Sequence, residues 1–143
     1  MSTRCNVRFM DDSKTPEANI YIHSDGYPDG EHGIVNKFRM FLQCLVDNVR
    51  DKRFNDPSYL AAKFVVFMAH EFAGDNHFLE FLSVGVVNEN AGDGEYVYNV
   101  YPPNTKNAGN TEMPGLAWFD YDGKLLSSVM FKLDDKIGVV SIL

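Results

Sequence analysis

His23, Asp25, Asp29, Glu31 and His32 fall within a span of ten residues, at the end of a stretch reading Ile20-Tyr21-Ile22-His23-Ser24-Asp25-Gly26-Tyr27-Pro28-Asp29-Gly30. Imidazoles and carboxylates are the groups of divalent-ion ligation and of general acid–base chemistry. The spacing matches no metal-ligand pattern, so no metal ligand is assigned. His23 and Asp25, two apart on a strand, could share a face as an acid–base pair. Beside them stands no G-x-S-x-G elbow and no Cys–His arrangement, and Ser24 has no supporting motif. No catalytic residue is assigned, and the chain is read as a binder, not an enzyme.

The same stretch also suits anion recognition. A glycine-flanked turn that opens into a helix aims backbone N–H groups at a phosphate. Asp25, Asp29 and Glu31 would repel that phosphate; they could instead cap the helix or accept from ribose hydroxyls, leaving Arg8, Arg39 or Arg50 to hold it. The P-loop pattern is absent. A second aromatic feature, Tyr96, Tyr98 and Tyr101, offers faces on which a nucleobase can stack. The candidate ligand-binding set is therefore Tyr21, His23, Asp25, Arg39, Tyr96, Tyr98 and Tyr101.

Hydrophobic periodicity supplies the elements that must position these groups. Cys5, Val7 and Phe9 alternate with Asn6, Arg8 and Met10, and Ala18, Ile20 and Ile22 alternate with Asn19, Tyr21 and His23. Two half-buried strands paired as a hairpin follow, with Tyr21 and His23 on the face opposite the aliphatic set. After Gly33, Ile34, Val35, Phe38, Phe41, Leu42, Leu45, Val46 and Val49 form one helical stripe ending near Asp51. Asp56-Pro57 starts a second helix, apolar almost all round and running toward Gly74, which reads as a buried central helix.

Beyond it the chain is β-rich. Strands are expected over Phe78–Val87, Glu95–Tyr101, Leu116–Tyr121 and Lys124–Phe131, the last two joined by a tight turn at Asp122-Gly123. Asn88–Gly94 and Asn104–Met113 read as loops. The apolar tail Ile137–Leu143 is expected as a strand, with a lean toward pairing with another subunit. The order is ββααββββ plus the tail, an α+β fold with a mainly antiparallel sheet and two helices.

The chain has 143 residues, 45% hydrophobic and 23% charged, with eleven Phe and seven Tyr, which suits a single domain over 1–143 with one core. A formal charge of −7 opposes binding to long nucleic acid or an anionic membrane, but a few local cations can still hold a small anion. Cys5 and Cys44 are expected as reduced thiols. The Met1-Ser2-Thr3-Arg4 start carries no apolar signal region and no run reaches membrane-spanning length, so the cytosol is the expected compartment.

Tyr21-Ile22-His23-Ser24-Asp25-Gly26-Tyr27-Pro28-Asp29-Gly30 resembles a pattern, Y-x-H-x-D-G-Y-P-x-G before a helix, shared by a group of small phage and prophage proteins. The resemblance continues through Tyr59-Leu60-Ala61-Ala62 and Gly94-Glu95-Tyr96-Val97-Tyr98, spanning roughly residues 20 to 101. The element order also looks like that of the Thoeris anti-defence sponge proteins of phages. That resemblance implies a non-enzymatic homo-oligomer in the bacterial host cytosol that sequesters a cyclic ADP-ribose-type nucleotide, with no cofactor. No pocket residue of that family is carried over. The alternatives are an acidic inhibitor that blocks a host defence enzyme by direct contact, or a small phosphodiesterase-like hydrolase using His23 and Asp25.

Overall fold

Cys5, Val7 and Phe9 are all at most 1% exposed. Their alternation makes Cys5–Met10 a strand, β1, with one fully buried edge of side chains. The computed structural model describes residues 3–50, 53–72, 84–88, 94–103, 112–133 and 136–141. Strand β2, Pro16–Ile22, returns antiparallel to β1 with Val7 opposite Ile20. Pro16 lies at the first position of β2, where its missing N–H is tolerated. The turn between them is held by Asp11, whose Oδ1 accepts from the backbone N–H of Ser13 and Thr15 at 2.9 Å each. Lys14 in that turn takes the left-handed conformation, φ 61°.

Helix α1, Ile34–Asn48, buries Ile34, Phe38, Phe41, Leu42 and Leu45 along one stripe, with Lys37 among them. Helix α2, Pro57–Phe72, starts with its proline at the first turn, where Leu60 N–H reaches the Asp56 carbonyl at 2.9 Å. It is not buried all round as its composition suggested. Leu60, Phe64, Phe67 and Met68 face inward, while Tyr59 is 52% and Val66 68% exposed. The physical reason is the layering: both helices contribute to one core against one face of the sheet, so the far side of α2 meets solvent. The Arg53 guanidinium lies 4.3 Å from the centre of the Tyr59 ring and shields part of it.

Strands β3 (Val84–Val86), β4 (Tyr96–Tyr101), β5 (Glu112–Asp120), β6 (Leu125–Leu133) and β7 (Ile137–Ser141) complete a seven-stranded sheet of order β3-β2-β1-β4-β5-β6-β7. Every neighbouring pair is antiparallel except β1 and β4, which run parallel. The expected α+β order is the observed one. Of the expected strand over Phe78–Val87, Val84–Val86 forms β3 and Val87 follows it; residues 78–83 lie outside the described residues, as do most of the two expected loops. Strand β5 starts earlier than expected, at Glu112. A register irregularity between Glu112 and Gly115 accommodates Pro114, which has no N–H for the ladder.

The tail corrects the expectation of pairing with another subunit. Ile137 to Ser141 pair residue by residue with Leu133 to Val129 of the same chain. Helix α1 adds a tie, because the backbone N–H of Ile137 donates to Gln43 Oε1 at 2.8 Å. Burying Ile137 to 3% exposure under α1 gives the apolar tail a partner within its own core.

The core is aromatic. Phe38 lies 5.6 Å from both Phe41 and Phe131 and 5.9 Å from Phe64, centre to centre, and Phe41 meets Phe64 edge-on at 5.3 Å. Tilted and edge-on contacts of this kind each add roughly 0.5–1.5 kcal/mol beyond the area they bury. Among the described residues, no helix is long and apolar enough to cross a membrane.

Candidate ligand-binding groove

The sheet has a second face, and the same alternation that buries one set of side chains presents the other set there. Arg8 on β1 stands opposite Asn99 on β4, Asn99 opposite Ala117 on β5, and Ala117 opposite Ser128 on β6. The next row holds Tyr101, Gly115 and Met130. Small residues at Gly115, Ala117 and Ser128 leave room between larger neighbours. A Cβ on Gly115 would meet nothing closer than the Val129 carbonyl oxygen at 3.8 Å.

The result is a groove of about 960 Å³. Tyr101, Phe119 and Met130 are its large apolar lining residues, and Lys14 and Lys132 are its cationic ones. Lys14 reaches it from the β1–β2 turn that Asp11 organises. A polar relay leads to its edge: Arg8 Nε donates to Asn99 Oδ1 at 2.8 Å, and Asn99 Nδ2 donates to the Tyr101 hydroxyl at 3.0 Å. Asn99 is only 4% exposed, and its placement is fixed by these two bonds.

The seven sequence-derived candidates are not brought together. Tyr21 and His23 do share the open face, with the Tyr21 hydroxyl hydrogen-bonded to His23 Nδ1 at 2.9 Å. They belong to the β2 side of the sheet, separated from β5 by β1 and β4, and do not line the groove. Tyr101 alone of the seven does. Tyr96 and Tyr98 lie on the helix-covered face, their rings 6.3 Å apart. Tyr98 is fully buried and donates its hydroxyl to the Gly26 carbonyl at 2.6 Å. The three tyrosines therefore form no common stacking platform, because β4 turns consecutive side chains to opposite faces. Arg39 rides on α1, on the other side of the sheet from the groove, and its Nε donates to Asn36 Oδ1 at 3.0 Å.

Asp25 occupies a left-handed position, φ 59°, and its carboxylate lies 4.0 Å from the Lys37 ammonium. His23 engages Tyr21, and Asp25 approaches Lys37. Burial pushes the Lys37 ammonium below its ordinary value, and Asp25 and Cys5 partly oppose that shift. Among the described residues, no three His, Cys, Asp or Glu side chains converge on a common point.

The helix-terminus reading is also corrected. Ile34 N–H donates to the Tyr27 carbonyl at 2.9 Å, Val35 N–H to the Pro28 carbonyl at 3.3 Å and Gly33 N–H to the Gly30 carbonyl at 3.2 Å. The loop folds its own carbonyls over the start of α1, so these N–H groups are not presented to a phosphate. No side chain caps the helix at Gly33, and Gly30 takes the left-handed conformation, φ 89°. Gly26 is needed for closeness instead: a Cβ there would lie 2.8 Å from Cys5 Cβ.

Sequence reasoning missed Lys14, Asn99, Phe119, Met130 and Lys132. The alternation of Val97, Asn99 and Tyr101 already put two of the relay's groups on one face. The order of strands that brings β1 beside β4 carried no local signal. No protein-family model, curated protein or solved structure matches the chain.

Proposed function

We propose that the protein is a phage-encoded counter-defence protein that sequesters a cyclic ADP-ribose-type nucleotide in the host cytosol without hydrolysing it. The observation that carries this reading is the open-face groove. Its volume of about 960 Å³ lies within the span of small-ligand sites, and its lining is mainly apolar with a few placed polar groups. Phe119 and Tyr101 offer aromatic faces to a base, while Lys14 and Lys132 offer local positive charge to phosphates on a chain of net charge −7. The bond of His23 to Tyr21 and the approach of Asp25 to Lys37 support binding over hydrolysis. Working as a homo-oligomer belongs to the same reading and rests on the resemblance.

Purified protein mixed with cyclic ADP-ribose is expected to deplete it from solution, and heating the complex to return it intact. Lys14→Ala and Lys132→Ala are each expected to weaken retention. Recovery of a cleaved product, or no depletion at all, overturns the reading. Native mass spectrometry of protein expressed in bacteria reads the subunit number and retained nucleotide together; a co-purifying host protein with no nucleotide would favour direct enzyme inhibition.

A further inference from the structure

The relay Arg8–Asn99–Tyr101 has a fixed direction. Arg8 Nε carries a proton and has no lone pair to offer, so the Asn99 atom 2.8 Å from it must be the amide oxygen. The amide nitrogen then faces the Tyr101 hydroxyl at 3.0 Å. An amide nitrogen only donates, so the Tyr101 oxygen must accept. Its own proton is thereby directed away from Asn99, and Tyr101 lines the groove. Reversing the amide would set two donors against each other at Arg8, with Asn99 buried to 4% exposure and its amide held between the two partners.

We propose that Tyr101 is the hydrogen-bond donor that reads the ligand, and that Arg8 and Asn99 are positioning residues that keep it a donor. The groove then selects ligands that bring an acceptor to Tyr101, and with Lys14 and Lys132 on the same groove that acceptor is a phosphoryl oxygen. A ligand whose only group at this position is a donor meets the Tyr101 proton and is rejected. The inference rests on the groove being the nucleotide site, and it assigns the phosphate end of that ligand to Tyr101.

Calorimetric titration with three probes tests it: cyclic ADP-ribose, inorganic pyrophosphate and adenosine, which has no phosphate. Tyr101→Phe is expected to weaken cyclic ADP-ribose and pyrophosphate about tenfold or more, the effect of one hydrogen bond to a charged group, and to leave adenosine within about twofold. Asn99→Asp reverses the relay, because one carboxylate oxygen takes Arg8 Nε and the other takes the Tyr101 proton. It is expected to weaken the two phosphorylated probes at least as much, and adding Tyr101→Phe to it is expected to cause little further loss. A merely structural role for Asn99 predicts equal losses for all three probes.

If the wild type binds cyclic ADP-ribose and Tyr101→Phe binds it equally well, the relay is overturned and the sequestration reading stands. If cyclic ADP-ribose does not bind but pyrophosphate does, with the same dependence on Tyr101, the relay stands and the nucleotide assignment falls. Binding of neither phosphorylated probe overturns the relay as an anion donor. Should Asn99→Asp fail to fold, Tyr101→Phe, which deletes a single oxygen, decides alone.

Discussion

The Tyr98 hydroxyl donates to the Gly26 carbonyl across 2.6 Å, joining positions 72 residues apart in the chain. This bond fastens the middle of β4 to the loop that launches α1. The same loop is held from the other side, where Gly26 N–H donates to the Thr3 carbonyl at 2.9 Å. Gly26 is thus pinned at both of its backbone polar groups, inside a pocket too tight for a side chain.

Removing the Tyr98 hydroxyl should therefore be costly for a change of one atom. Tyr98→Phe leaves the buried Gly26 carbonyl without this donor while keeping the ring that packs 6.1 Å from Trp118. The expected loss is about 1–3 kcal/mol in urea unfolding, with the slope of the transition unchanged. A loss under a few tenths of a kcal/mol would show that water replaces the bond.

Gly33 has an ordinary extended backbone, φ −72°, so its requirement is space and not conformation. A Cβ there would fall against the carbonyl oxygens of Pro28 and Asp29, the former of which receives the Val35 N–H. Gly33→Ala must displace the backbone that covers the start of α1, at an expected cost of about 3 kcal/mol. Thermal unfolding checks this, and an unchanged melting temperature would mean that the loop can open without affecting the helix.

Alkaline pH should destabilise the fold. Burial pushes the Cys5 thiol and the Tyr98 phenol above their ordinary values of 9.0 and 10.0. Above those values the unfolded chain releases protons that the folded state keeps, so stability present at lower pH is lost as pH rises. Lys37 acts in the opposite sense. Its lowered value means the folded state gains stability as pH climbs from that value toward 10.5. Burial, with Glu71 and Asp47, raises the Cys44 thiol as well, so three groups oppose one, and the expected net result is a stability that falls above pH 9, by roughly 1.4 kcal/mol per pH unit for each unbalanced proton. Cys5→Ala should delay the onset and Lys37→Met should steepen the fall; a flat profile from pH 8 to about 11 contradicts the assignment.

Much of the frame was legible in local pattern. The alternations in Cys5–Met10 and Tyr96–Tyr101, and the stripe from Ile34 to Leu45, each reflect one element burying one face, and that is a property of neighbouring residues. The hairpin at Asp122-Gly123 was legible for the same reason. Gly123 takes φ 83°, and Asp120 Oδ1 accepts from the N–H groups of Asp122 and Lys124 at 2.9 Å each.

The site was not legible in this way. His23 and Asp25 are close in sequence yet engage different partners, while Arg8 and Asn99 are 91 residues apart and share a bond. Sequence by itself determined which side chains of a strand share a face and where the helices lie. Tertiary structure decided which face the helices cover, that β4 lies beside β1, and that the tail closes onto β6. These choices follow from how much apolar surface distant segments bury against one another, a long-range quantity that no local period encodes. They separated Tyr98, sealed in the core, from Tyr101, which is left at the groove.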